Sequence, residues 1–542
     1  MERTFNLIDE PWICVRTQAQ TVREVGLREL FLEAHTFTDL AGETKTQDLA
    51  MLRLLLAIVH TVFSRYGIDG EAIDPSEDPD LLVDQWEDIW NSGQFPATPI
   101  EHYLDQWHDR FWLFDEDFPF YQSKAVDGKS KPISTAKMIG TLFESNHKKR
   151  LFSARTGEGR DLSYAEAARW LLHLICFDDI AAKHPTPKKP WVGQLGAIML
   201  KGETLFQTLM LNYVADQDGR NNVYTSAPSW ETDTRSVPFN RLIPVPADQA
   251  ALLSLLSRRV LLCREDDRVT GYYLSGGDYF EEEAPFDREM MTLWRGFQEK
   301  KDSPYQFRPR RYTAGKMIWR EFGSIAVEKE TNTASAKQAG VIGWRERLIG
   351  YEILSADTLV QVETTAVVYD YKQATCLPVI DAISDGLTFH AKLLEEIGEG
   401  WRIRVLDEID RCERAAKQVY LLYKNLQNAS GRRDKDGKTE LSGERDATSE
   451  FYARIDRPFR LWLAALDPSA GDCETACAAL ETQLRTIALR YGNELAAQAD
   501  SSTIFGRYEK DKLVSSASAL NMYRYQISKK IFTREVKHDE QG

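Results

Sequence analysis

No GxSxG, GxxxxGK[ST], HExxH or CxxC motif occurs in the 542 residues of this chain. The short signatures of a nucleophile elbow, a phosphate-cradling loop, a zinc-protease helix and a paired-cysteine metal site are therefore missing. Histidine is sparse, 9 residues spread singly, and His173, inside an apolar helical pattern, reads as a satisfied core residue rather than a ligand. The 7 cysteines (Cys14, Cys176, Cys263, Cys376, Cys412, Cys473, Cys477) are scattered and odd in number, which suits free thiols in a reducing compartment rather than a disulfide framework. The close pair in "CETAC" has helical i, i+4 spacing. With no second Cys or His pair of matching spacing to complete four ligands, it reads as two small core residues rather than half a metal site. No metal and no cofactor are expected. Long apolar runs are also missing: "MLRLLLAIVHTVF" at Met51 to Phe63 contains Arg53 and His60 and stops short of the roughly 18 uninterrupted residues of a membrane span. The opening "MERTFNLIDEPW" carries acids and no apolar stretch before a small-residue cleavage site, so a cytoplasmic location without a secretory signal is expected.

What is present is the composition of a folded chain. Apolar residues make up 43% and charged residues 28%, far from the balance of disorder, and the length exceeds what one core supports, so two or more domains are expected. "TFNLIDEPWICV" alternates as a strand with Pro11 at an edge or bend. "TQDLAMLRLLLAIVHTVFSRYG", with Thr46 as its cap and Gly67 at its close, predicts a largely buried helix. Further helical patterns lie at Leu81 to Asn91, Ser163 to Phe177 and Glu203 to Asn212. Arg258 to Phe280 reads as two strands joined by a charged turn. From about Ala382 the pattern turns to helix alone. Ile409, Cys412, Ala416, Val419, Tyr423 and Leu426 form one stripe; Cys473, Ala476, Leu480, Leu484, Ile487 and Tyr491 form another. With Phe451 to Leu466 and Ser516 to Phe532 the count is four, and four amphipathic helices in succession bury their stripes most economically in a bundle. The expectation is an α+β protein: a mixed α/β N-terminal domain with long loops over 1–380, then a four-helix bundle over 381–542, with the boundary near Thr375 to Asp385.

Candidate chemistry is concentrated in charge. "FDEDFPFYQ", Phe114 to Gln122, sets Asp115, Glu116 and Asp117 among aromatics and could mimic a sugar-cleaving site. Glycosidases, however, need two carboxylates on separate elements facing a cleft, and a contiguous acidic run reads more simply as a solvated turn. Three basic clusters stand out against the net charge of −15: "ESNHKKRLFSARTGEGRD" at Glu144 to Asp161, "KHPTPKKPWVGQLG" at Lys183 to Gly196, and "RPRRYTAGKMIWR" at Arg308 to Arg320. Each mixes cations with aromatics and backbone-flexible residues, a mixture that neutralises phosphates and stacks on bases. Each alone also fits an ordinary solvated face. Together, in an acidic chain, they point to a localised nucleic-acid groove.

The order and spacing of "NLIDEPWICVR", "DFPFYQSK", "LFSARTGEG", "LKGETLFQTLMLN", "SRRVLLCREDDRVTG" and "DREMMTLWRG" resemble the CasA family, the large subunit of the type I-E CRISPR Cascade complex, over nearly the whole chain. The resemblance implies a non-enzymatic protein that reads a protospacer-adjacent motif in duplex DNA, promotes strand opening and R-loop formation, and helps recruit a helicase-nuclease. The implied partners are the crRNA 5′ handle, target double-stranded DNA, the subunits CasB, CasC, CasD and CasE, and that helicase-nuclease, with no membrane. It implies that Phe152, Ser153 and Ala154 sit near the handle and the motif, with Lys148, Lys149, Arg150 and Arg155 along phosphates. The family's glycine-rich loop would fall at Lys183 to Gly196, where Gly193 and Gly196 remain and Lys188 and Lys189 would contact phosphate. Arg308, Arg310 and Arg311 join the expected nucleic-acid-binding set. The family's glutamine-bearing hairpin, a wedge that splits the first base pairs, is expected just after "IGYEILSADTLVQVE". Ser355 stands at the apparent matching position, Gln361 is the leading longer candidate and Leu354 an apolar one. A family lysine finger would fall near "LSGGDYFEEE", where no lysine stands. Two readings remain beside this one, a carbohydrate-active hydrolase using Asp115 or Asp117 and a scaffold that only holds proteins.

Overall fold

The computed structural model describes residues 3–76, 78, 80–128, 131–139, 161–178, 189–217, 220–221, 227–233, 237–246, 248–280, 288–298, 306–326, 336–369, 379–432, 444–509 and 512–533. The chain divides into two compact units. The first comprises Met1–Ala314, Val327–Leu354 and Gln361–Gly386; the second comprises Gly315–Ala326, Ser355–Val360 and Leu387–Gly542.

The first unit is built around the helix Lys45–Phe63, in which every side chain but those of Lys45 and Asp48 is buried. Its cap is Thr44, two residues earlier than the Thr46 the sequence suggested: the Thr44 hydroxyl accepts from the Gln47 N–H at 3.1 Å. Thr46 instead faces inward and bonds His173 Nε2 at 3.0 Å, and the helix ends at Ser64, short of Gly67. This helix is long and apolar enough to cross a membrane by composition, but it is packed inside the unit. Against it lie the helices Tyr164–Phe177, Leu205–Asn212 and Gln249–Leu253. The first of these starts at a reciprocal cap in which the Ser163 hydroxyl and the Glu166 carboxylate each satisfy the other's backbone N–H, a device worth about 1 kcal/mol.

Several small sheets complete the unit, among them Ile13–Thr17 between Val22–Val25 and Phe37–Leu40. Arg258–Glu265 and Arg268–Gly276 form the antiparallel hairpin expected from the charged turn, with Ile133–Ser134 added at its edge. Trp294–Phe297 lies between Gln306–Pro309 and Ala336–Lys337. Leu359–Tyr369 lies between Ala197–Lys201 and Val379–His390. Pro11 falls between the strands Thr4–Asn6 and Ile13–Thr17, where its missing N–H disturbs no ladder.

The second unit contains the helices Glu399–Ser430, Glu444–Ala465, Cys473–Gln498 and Ser516–Gln526, the last running into a π turn at Ile527–Ile531. Their apolar stripes pack on one another: Val405, Ile409, Cys412, Val419 and Leu426 from the first, Phe451, Ile455, Phe459 and Leu463 from the second, and Cys477, Leu480, Leu484 and Tyr491 from the third are all buried. The bundle also draws in an earlier piece of chain. Trp319, from Gly315–Ala326, stacks on Phe459 at 4.2 Å and donates its indole N–H to Asp456 at 2.8 Å. The first helix stops at Gly431, whose φ of 75° only a glycine adopts without cost.

Candidate nucleic-acid interface

Two of the three basic segments meet, and the contact is made by backbone rather than by charge. The segment from Lys189 to Gly196 is anchored by Trp191, whose buried indole N–H donates to Glu289 at 2.8 Å. Glu289 in turn holds both guanidinium ends of Arg53, at 2.9 and 3.0 Å, with both side chains 1% exposed. A single 3-10 turn follows at Val192–Gln194. Gly193 packs so closely against Tyr369 that an added Cβ would lie 2.0 Å from its phenol oxygen, and that phenol donates to the Phe177 carbonyl at 3.3 Å. Gly196 meets the Arg310 carbonyl, 2.1 Å from where a Cβ would stand. Beside it, Arg311 Nε donates to the Gln194 carbonyl at 3.2 Å.

These contacts give the two glycines a packing role. Both are buried, and the space they free is filled by Tyr369 and Arg310. The cations around them remain on the rim. Lys189 is half-buried, its ammonium 6.0 Å from the Tyr369 ring centroid, and Arg311 is exposed. Arg308 lies 4.2 Å over Phe297 and stands opposite Arg295 in the sheet register. Arg295 is exposed; sequence reading missed it because it lies outside any run of cations.

The third basic segment is only half available for such a role. Arg308, Arg310 and Arg311 belong to the first unit, whereas Lys316 and Arg320 fall in the second. Lys316 pairs with Glu321 at 2.5 Å. Arg320 pairs with Glu413 at 3.0 Å and lies 4.0 Å over Tyr452. Those two are structural cations.

Several expected positions lie outside the described residues: Lys148, Lys149, Arg150, Phe152, Ser153, Ala154, Arg155 and Lys188. The wedge candidates are described, and neither occupies a hairpin tip. Gln361 is exposed, the third residue of the strand Leu359–Tyr369, opposite Lys201. Ser355 closes a turn before that strand, its hydroxyl accepting from Asp357 N and its carbonyl from Thr358 Oγ1, both at 3.0 Å. Leu354 is buried. The strands Leu359–Tyr369 and Val379–His390 are joined by residues 370–378, outside the described set, whose sequence DYKQATCLP includes Gln373.

The acidic aromatic segment has a structural explanation. Asp115 is buried and accepts from the N–H groups of Asp117 and Phe118, each at 2.7 Å, and from Arg3 at 2.8 Å. Burial works to raise its pKa, but the Phe118 and Asp117 amides and Arg3 outweigh it and hold the carboxyl below its ordinary range. That is the opposite of what a general acid needs. His173 is half-buried against Trp170 and Phe177, and burial pushes its pKa down to about 3.

Residues 6–491 match the family described as CRISPR-associated protein Cse1. The CRISPR-associated protein CasA/Cse1 of Thermus thermophilus is 32% identical over 235 residues, 42% of this chain and 42% of that relative's length. The Cse1 crystal structure from Thermobifida fusca superimposes with a TM-score of 0.79 at 26% identity, covering 97% of this chain and 98% of that one. A chain from a CRISPR RNA-guided surveillance complex shares the fold with a TM-score of 0.71 at 14% identity, covering 97% of this chain and 100% of that one. With a family match running almost from end to end over a mixed unit and a helical bundle of the same fold, the chain belongs to the CRISPR-associated protein Cse1 family.

Proposed function

We propose that this chain is the large, non-catalytic subunit of an RNA-guided surveillance complex of the type I-E Cascade kind. In that role it reads a protospacer-adjacent motif in duplex DNA beside the crRNA 5′ handle, helps open the duplex, and offers a landing site for the recruited helicase-nuclease, with CasB, CasC, CasD and CasE as its fellow subunits. The observation that carries this reading is the meeting of the Lys189 to Gly196 segment with Arg308 to Arg311, which gathers cations on one rim of an otherwise acidic molecule. Cations on phosphates set register, and the motif is read from base edges; from the minor groove that code is degenerate, so several related motifs should be accepted. Guide pairing reads the remaining sequence.

The duplex-opening wedge is assigned to Gln373. By sequence it falls between two strands of 11 and 12 residues, after the segment where the resemblance puts the family's glutamine, while Gln361 lies within a strand of the sheet. The test is reconstitution of the complex with and without this chain on duplexes with and without the motif. Motif-dependent capture that appears only when the chain is present is expected. Capture that is equal on both duplexes, or equal without the chain, contradicts the proposal.

A further inference from the structure

One side chain on the cationic rim carries a chemistry that its neighbours lack. From Pro190 to Leu200 every residue is buried except Gln194, the last residue of the turn Val192–Gln194. Its backbone is fixed. The Gln194 N–H donates to the Trp191 carbonyl at 2.9 Å and the Leu195 N–H to the Val192 carbonyl at 3.0 Å, while the Gln194 carbonyl accepts from Arg311 Nε at 3.2 Å. Gly193, the residue before it, is wedged against Tyr369, and Trp191 is tied through its N–H to the Ser257 hydroxyl at 3.2 Å. The Gln194 side chain takes no part in this framework: its amide makes no hydrogen bond among the described residues. A free amide on an immobile backbone is prepared for a ligand, because binding has only side-chain order left to lose.

The kind of group selects the target. Lys189, Arg308, Arg310 and Arg311 carry hydrogen-bond donors and no acceptor. In the minor groove the pairs share a set of acceptors, so donors grip without telling one pair from another. What sets G·C apart there is the guanine N2 amino group, itself a donor, and reading it takes an acceptor. Among these rim side chains only Gln194 has one, its amide oxygen, with an NH2 left to donate to a neighbouring base acceptor. Two of the cations are tied to the same turn. Arg311 bonds the Gln194 carbonyl, and the Lys189 ammonium lies 6.0 Å from the centroid of the Tyr369 ring, whose phenol packs on Gly193. Cations for phosphates beside a neutral amide for a base edge is the division between positioning and specifying contacts.

We propose that Gln194 is the specificity-determining residue of this rim, its amide oxygen accepting from the N2 amino group of a guanine in the minor groove of the motif, with Lys189 and Arg311 on the flanking phosphates. The assignment rests on the reading of this chain as the motif-reading subunit. The test uses the assembled complex and a motif selected from duplexes randomised beside the target. Each guanine of that motif, on either strand, is then replaced in turn by inosine, which still pairs with cytosine and lacks only the N2 amino group. The wild-type complex should lose about tenfold in affinity at one of these positions. Gln194→Met, similar in length and without the oxygen, should bind guanine and inosine alike at that position with an unchanged salt slope, since no phosphate contact is removed. Gln194→Glu, which keeps an acceptor, should still prefer guanine while binding more weakly overall. A selected motif without a G·C pair, a wild-type complex indifferent to inosine throughout, or a Gln194→Met complex that discriminates as wild type does overturns the assignment. A wild-type complex that captures motif and non-motif duplexes equally overturns the functional proposal itself, so the two failures are told apart.

Discussion

Gly196 and Arg310 touch through backbone: the Cα of the first faces the carbonyl oxygen of the second, 2.1 Å from where a Cβ would be. That contact joins two basic segments more than a hundred residues apart in sequence. A carbonyl cannot swing aside as a flexible side chain can. Gly196→Ala should therefore destabilise the chain by about 1–3 kcal/mol, read as a lowered denaturation midpoint, and should weaken duplex capture by the assembled complex in parallel. Unchanged stability would mean the contact is loose.

The buried Arg53–Glu289 pair anchors Trp191 at the head of the same segment. Glu289→Ala leaves a guanidinium uncompensated in the core and should cost about 3–5 kcal/mol, whereas the double replacement Arg53→Met with Glu289→Leu should recover most of that loss. Urea denaturation of the two variants checks it. Equal stability of the single and double variants would argue against an ion pair dominated by desolvation.

Asp48 has a carboxyl pushed up to about 6, chiefly by burial and also by Asp39 and Glu363, against the opposing pull of the Gly42 amide and Lys45; Lys201 pairs with Asp39 in the same cluster. Because the folded-state pKa is raised, the folded chain holds this proton more tightly than the unfolded chain. The resulting stability is fully present below about pH 4 and is lost as pH rises through about 6. Asp48→Asn should remove that slope and stabilise the chain at pH 8 by about 2–3 kcal/mol. Thermal melts from pH 4 to pH 8 measure it, and a variant less stable at pH 8 would show that the carboxylate is needed in its charged form.

Duplex opening separates Gln361 from Gln373. Gln361→Ala should leave capture of a fully paired target unchanged. Gln373→Ala should slow it and recover on a target mismatched beside the motif, because unstacking a step costs a few kcal/mol that the mismatch removes. Permanganate footprinting next to the motif distinguishes them. The reverse pattern would return the wedge to the sheet.

What was legible in the sequence was local or periodic. The Ser163 cap, the Arg258 to Phe280 hairpin and the bundle stripes each depend on residues within a few turns of one another. The Thr44 cap was misplaced by two residues because Thr46 offers the same hydroxyl, and only the approach of His173 shows which one turns inward. The glycines read in sequence as ligand contacts because their packing partners, Tyr369 and Arg310, lie far along the chain. Lys316 and Arg320 looked like members of one cation run, yet their carboxylates, Glu321 and Glu413, commit them to the helical unit.

The most direct test of the account is the salt dependence of motif-duplex binding by the assembled complex, wild type against Lys189→Gln with Arg311→Gln. If these two side chains lie on phosphates, the log–log slope becomes shallower by about 2, near 0.9 for each contact removed, while the preference for the motif is kept. An unchanged slope would contradict the placement of the duplex on this rim.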